Sequence, residues 1–292
     1  MKNLFYKIAG HIFRLSFSEA VCFTSSLDNY APFRIADSID EYLFHLSVTE
    51  SLVTEEDYEL IGQFDDDIAS IGVFRSTGGN FCFHIAYPNS KDYCAMVTDV
   101  SFSVAQVKLP DSLQLGVFYF NNCLMLLYAF STANLDTLLM HASVIKNGGE
   151  GFVFLGKSGT GKSTHSRLWL EHIEGCELLN DDNPVIRIID GRAYVFGSPW
   201  SGKTPCYKNE NILLKGIVKL RQAPENRIKE LSSLLAYAAV LPACSSMRWE
   251  EEIASGVHRT VEKLIGIVNC YQLDCLPDKE AVELSSNTMW NK

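Results

Sequence analysis

The stretch GFVFLGKSGTGKSTHSRLWLEHI, residues 151–173, constrains the fold of this chain more than any other. It opens as a short apolar run of buried-strand type. It ends as a helical pattern with Leu168 and His172, and Trp169 and Ile173, each four apart. Any fold must therefore join a strand end to a helix start through one tight turn. That turn is Gly156, Lys157, Ser158, Gly159, Thr160, Gly161, Lys162 and Ser163, and it fills G-x-x-x-x-G-K-[ST] at every fixed position. Average composition yields such a match by accident on the order of one time in a hundred in a chain of this length.

A turn of this kind suits phosphate. Glycines let successive backbone N–H groups converge on phosphate oxygens, and the helix N-terminus adds its partial positive charge. Lys162 is expected to bridge the β- and γ-phosphates, Ser163 to ligate Mg²⁺, and Thr164 to continue the binding run. ATP and Mg²⁺ are the expected cofactors. Downstream, CELLNDDNPVIRI places Asp181 and Asp182 at the end of a short apolar stretch. A carboxylate pair facing a triphosphate can divide two tasks between its members, metal ligation and deprotonation of an acceptor hydroxyl.

The runs LLMHASVIKNGGEGFVFLGKSGTGKST and LLNDDNPVI together resemble the HPr kinase/phosphorylase catalytic domain, in the group that includes ATP-dependent phosphoenolpyruvate carboxykinases. The resemblance covers roughly 138–190. It implies that His141, on the strand before the turn, lies near the reacting phosphate. It also implies that Asp181 is the general base, that Asp182 is a partner at the metal, and that the protein forms homo-oligomers. The form GTGKST is closer to the carboxykinase loop, and neither the Glu-bearing signature and basic loop of HPr kinases nor the oxaloacetate-binding residues of carboxykinases are found. The expected fold class is accordingly α/β (an α+β mixed sheet): a P-loop kinase domain of the HPr kinase/carboxykinase type over 112–292, after a β-rich recognition or assembly domain over 1–111.

On the acceptor side, SPWSGKTPCYKN concentrates Trp200 and Lys203 in a loop between strands, where recognition residues tend to sit. Trp200 is expected to stack on a ring and Lys203 to neutralise an anion. Arg221, in RQAPENRIKE, is a candidate for charge at the transferring phosphoryl group, just before a helix expected over about 228–241. These residues predict an ATP- and Mg²⁺-dependent kinase acting on a protein serine or a small-molecule hydroxyl. A nucleotide-binding regulatory module without transfer and a carboxykinase-like enzyme remain the alternatives.

Composition narrows the setting. A net charge of −10 disfavours nucleic-acid backbones as partners. Nine cysteines, an odd number with no C-x-x-C pair, read as free thiols in a reducing compartment. The apolar run 113–130 carries Gln114, Asn121 and Asn122 and has no basic flanks, so it reads as a buried helix and not a membrane span. With no signal peptide in the N-terminal run, the chain is expected in the cytoplasm.

Overall fold

A computed structural model describes residues 2–18, 27–36, 39–52, 57–65, 69–90, 92–110, 112–202 and 204–290. The chain divides into two compact units, Met1–Ser131 and Thr132–Lys292. The boundary thus falls after the long apolar helix and not before it, at the expected 111/112.

The first unit is one nine-stranded mixed sheet. Its strands are β1 (Lys2–Ile8), β2 (His11–Phe17), β3 (Arg34–Ile35), β4 (Phe44–Val48), β5 (Tyr58–Asp65), β6 (Ser70–Ser76), β7 (Phe81–Ala86), β8 (Tyr93–Thr98) and β9 (Val104–Val107), in the order β3-β1-β2-β4-β9-β8-β7-β6-β5. Strands β1 and β2 form a hairpin. Ala9 and Gly10 both take positive φ, and Ile8 pairs with His11. The TGGN turn joins β6 to β7.

Helix α1 (Leu113–Thr132) completes this unit. Within it, Gln114–Thr132 is long and apolar enough by length and composition to cross a membrane, with a mean hydropathy of 1.2. Yet 56% of that stretch is buried inside the protein. Its polar groups are engaged there: Tyr30 donates to Asn121 Oδ1 at 2.6 Å, and Tyr128 donates to the Ile8 carbonyl at 3.1 Å. These are the contacts of a core helix.

The second unit holds β10 (Thr137–Leu139), β11 (Ala142–Asn147), β12 (Glu150–Leu155), α2 (Lys162–His172), β13 (Glu177–Asp182), β14 (Val185–Ile189), β15 (Arg192–Phe196), β16 (Asn211–Gln222), β17 (Arg227–Glu230), α3 (Ser233–Val240), α4 (Glu251–Ile267), β18 (Asn269–Cys275) and α5 (Lys279–Trp290). The sheet runs β10-β14-β15-β16-β12-β11-β13. The long β16 passes from β15 to β18 along its other edge, and β17 pairs outside β18. Hairpins turn at Gly148–Gly149 and at Asp190–Gly191, all at positive φ, as I′-type turns require.

This architecture overturns the expected α/β P-loop kinase fold class. The chain is β-rich, with 40% strand against 28% helix, and is built on two large mixed sheets. Among the described residues of the second unit, only β12–β16 and β16–β18 pair in parallel, while the other six strand pairings are antiparallel. The physical reason lies in the connections. Most consecutive strands are joined by tight turns, which allow only antiparallel return, where helical crossovers would have made the sheet parallel. The helix expected over 228–241 is likewise shorter, because Arg227–Glu230 pairs with Tyr271–Asp274 as a strand.

Under α2 and α5 lies an apolar cluster that includes Phe152, Phe154, Val218, Tyr271 and Met289 around a fully buried Trp169. It fixes α2 to the sheet and so fixes the turn before it. The eight described cysteines are all free thiols, and Cys22 lies outside the described residues.

Candidate functional site

The glycine-rich turn leaves the carboxyl end of β12 and enters α2, the strand-turn-helix order its sequence requires. Gly161 caps α2 at φ 107°, a conformation that a side chain at this position would strain. Lys162, the first residue of the helix, is 9% exposed, and its ammonium donates to the Gly156 carbonyl at 2.9 Å. Burial pushes the lysine pKa below its ordinary value, against the opposing pull of Asp182 and then Asp181.

His141 sits between β10 and β11, its backbone N–H bonded to the Ala243 carbonyl at 2.7 Å. Its Nε2 lies 2.8 Å from Lys162 Nζ and its Nδ1 lies 3.0 Å from Asp182 Oδ1. Only one proton arrangement of a neutral ring satisfies both contacts: Nε2 accepts from the ammonium and Nδ1–H donates to the carboxylate. A chain of hydrogen bonds therefore runs from the loop lysine through His141 to Asp182.

Asp181 belongs to a second set. It lies directly across from Ser143 in the β11–β13 pairing, so both side chains share one face. Ser143 donates to Asp181 Oδ1 at 2.9 Å and contacts Ser166 of α2 at 2.7 Å. Asp181 is 6% exposed, and its Oδ2 has no partner among the described residues. Asn180, fully buried, locks the strand end: its Oδ1 accepts from the Asp182 N–H, and its Nδ2 donates to Ser198 Oγ and the Trp200 carbonyl. Gly202 closes over this end so tightly that a Cβ there would lie 2.8 Å from the Asp181 carbonyl.

Two clefts flank the turn. The larger, about 580 Å³, opens at the carboxyl ends of the parallel strands β12, β16 and β18, lined by Gly156–Thr160, Lys219–Gln222 and Gln272. Gln222 reaches the Gly159 and Thr160 carbonyls at 3.3 and 3.4 Å. The smaller, about 290 Å³, lies along α2 and β13 and is lined by Ser163, Thr164, Ser166, Arg167, Leu170, Leu178, Asp181 and Thr204.

The structure thus brings together the loop residues 156–164, His141, Asp181 and Asp182. Of the residues expected at the acceptor, Trp200 and Arg221 are not brought to one site. Trp200 is buried at 4% exposure, so its indole offers no open face for stacking. Lys203 lies outside the described residues. Arg221 lines the larger cleft, where its Nε donates to Asp274 Oδ1 at 2.7 Å and its Nη2 pairs with the other oxygen. Ser143, Ser166, Asn180 and Arg167 escape the sequence reading. Ser143 follows His141 by two residues, near the start of β11. The other three are visible only once β13 and α2 are placed side by side.

Mg²⁺ takes hard oxygen ligands and keeps much of its coordination for water and phosphate. The Ser163 hydroxyl and the Asp182 carboxylate are donors of that type, and both oxygens of Asp182 are already oriented, one by His141 and one by Asn183 at 2.9 Å. Among the described residues no group of three His, Cys, Asp or Glu encloses a metal. No protein-family model and no curated protein sequence matches the chain.

Proposed function

We propose that the second unit is an ATP-dependent phosphotransferase acting on a hydroxyl acceptor. The observation that carries this reading is the convergence of Lys162, His141, Asp181 and Asp182 on one glycine-rich turn from three separate stretches of chain. The larger cleft, with its carboxyl strand ends and backbone lining, suits the nucleoside side, since ligands of open sheets bind where parallel strands end. Phosphates would meet the N–H groups of the turn and the start of α2. When bound, Mg²⁺ would supply charge neutralisation at Ser163 and Asp182.

The residues then divide the work. Lys162 holds charge at the β- and γ-phosphates, and His141 holds Lys162 and Asp182 in one register. Asp181 Oδ2 takes the acceptor proton as the hydroxyl oxygen bonds to the γ-phosphorus and the bond to the β-phosphate oxygen breaks. A reducing, nucleotide-rich compartment such as the cytoplasm fits the free thiols.

The test is γ-³²P transfer from ATP with the purified chain and a fractionated extract, together with Asp181→Asn. We expect labelled product from the wild type, a fall in turnover of about 10³-fold in the variant, and ATP affinity within about threefold. Tight ATP binding with no labelled product would instead favour a nucleotide-sensing module, and unchanged turnover in the variant would remove Asp181 from the mechanism.

A further inference from the structure

The smaller cleft carries features that nucleotide binding leaves unexplained. On α2, Ser163, Arg167 and Leu170 form one exposed stripe at helical spacing and line it together with Thr164. Opposite stand Leu178 and Asp181 of β13. Arg167 has no hydrogen bond or ion pair among the described residues, although the chain carries a net charge of −10. Asp181, more than nine-tenths buried, lines the same space, and the one hydrogen bond to its carboxylate among the described residues goes to Oδ1.

We infer that this cleft is the acceptor site and that it takes a small hydroxylated anion, with Arg167 as its anion anchor. Three observations support it. A volume of about 290 Å³ is near the lower limit for small-molecule sites, so it suits a short acceptor. Among the described residues, the unpaired Arg167 of α2 and the carboxylate of Asp181 on β13 match an acceptor with an anionic end and a hydroxyl end. Arg167 stands four residues beyond Ser163, a rise of about 6 Å, so an anion held there leaves the hydroxyl of a short carbon chain beside the phosphate-binding start of α2. Leu170 and Leu178 supply the apolar contact that such a chain needs. The guanidinium offers paired donors that fit a carboxylate or a phosphate equally, so the class is defined by its anion and its hydroxyl.

This inference rests on the phosphotransferase reading for its chemistry but not for its binding, and the experiment separates the two. Glycerate, malate, 4-hydroxybutyrate, glycerol phosphate and uncharged glycerol are titrated calorimetrically into the full chain holding a non-hydrolysable ATP analogue. The same panel is then offered with γ-labelled ATP. We expect at least one anion, carboxylate or phosphate, to bind and glycerol not to bind. Arg167→Gln should weaken anion binding by about 10- to 100-fold and leave affinity for the ATP analogue within twofold, and Arg167→Lys should recover part of the loss. Anion binding that depends on Arg167 but yields no labelled product upholds the cleft and overturns the kinase reading. Absence of anion binding, binding indifferent to Arg167, or label found only in protein or in glycerol overturns the cleft assignment.

Discussion

Helix α2 has two faces that do different work. Lys162, His165, Ser166 and Trp169 recur at helical spacing and are buried, whereas Ser163, Arg167 and Leu170 recur at the same spacing and are exposed. The buried stripe anchors the phosphate turn to the sheet, and the open stripe faces the smaller cleft. Apart from Lys162, which belongs to the phosphate turn, a mutation on the first should change stability, and one on the second should change binding alone. All four tryptophans, at 169, 200, 249 and 290, lie in the second unit, so intrinsic fluorescence follows that unit's unfolding within the full chain.

Trp169→Ala should show the largest effect. The indole is fully buried, with ring centroids 5.0 Å from Phe152, 5.4 Å from Phe154 and 5.7 Å from Trp290. Removing it leaves a cavity worth about 3–5 kcal/mol, to be read as a lower urea midpoint in the remaining tryptophan signal. A loss below about 1 kcal/mol would mean that α2 is held chiefly by its polar contacts, and the contrast between faces would collapse.

His165 gives the next effect, and its sign is set by burial. The ring is 3% exposed, and desolvation pushes its pKa from 6.5 to about 4. Trp169 Nε1 donates to its Nε2 at 3.1 Å, which reserves that nitrogen as an acceptor. The unfolded chain takes up a proton near pH 6.5, while the folded chain resists until about pH 4, so stability is intact above 6.5 and is lost as pH falls towards 4. At about 1.4 kcal/mol per pH unit the contribution is roughly 3 kcal/mol. His165→Gln should flatten the acid limb of urea stability between pH 6.5 and 4; an unchanged slope would assign the acid loss to other groups.

The parts of this molecule that the sequence made legible are those where local chemistry alone decides. The turn 156–163 and helix α1 each follow from residues close together in the chain. What stayed hidden depends on pairing across distance. The segment Arg227–Glu230 becomes a strand only because β18 offers it an edge, and Trp200 is buried because Asn180 and Ser198 bind its carbonyl into the end of β13. Helix α1 falls on the far side of the domain boundary because its partners Tyr30 and Ile8 lie about a hundred residues upstream. The carboxylate pair was found by its motif, but the separate loads of its members, Asp182 on His141 and Asp181 on Ser143, required the β11–β13 register.

Ser163→Ala should show the smallest effect on stability and therefore tests the contrast most sharply. The side chain is exposed, and its hydroxyl bonds to no described residue, so the variant should unfold within about 0.5 kcal/mol of the wild type. If the open stripe belongs to ligand chemistry, the same change should weaken ATP affinity about tenfold with Mg²⁺ present and much less without it, because only the metal-bound nucleotide uses the hydroxyl. Calorimetric titrations with and without the ion separate the two cases. An equal loss in both would show that the hydroxyl contacts phosphate directly. A loss of stability in place of affinity would show that this face of α2 is held by the protein as firmly as the other.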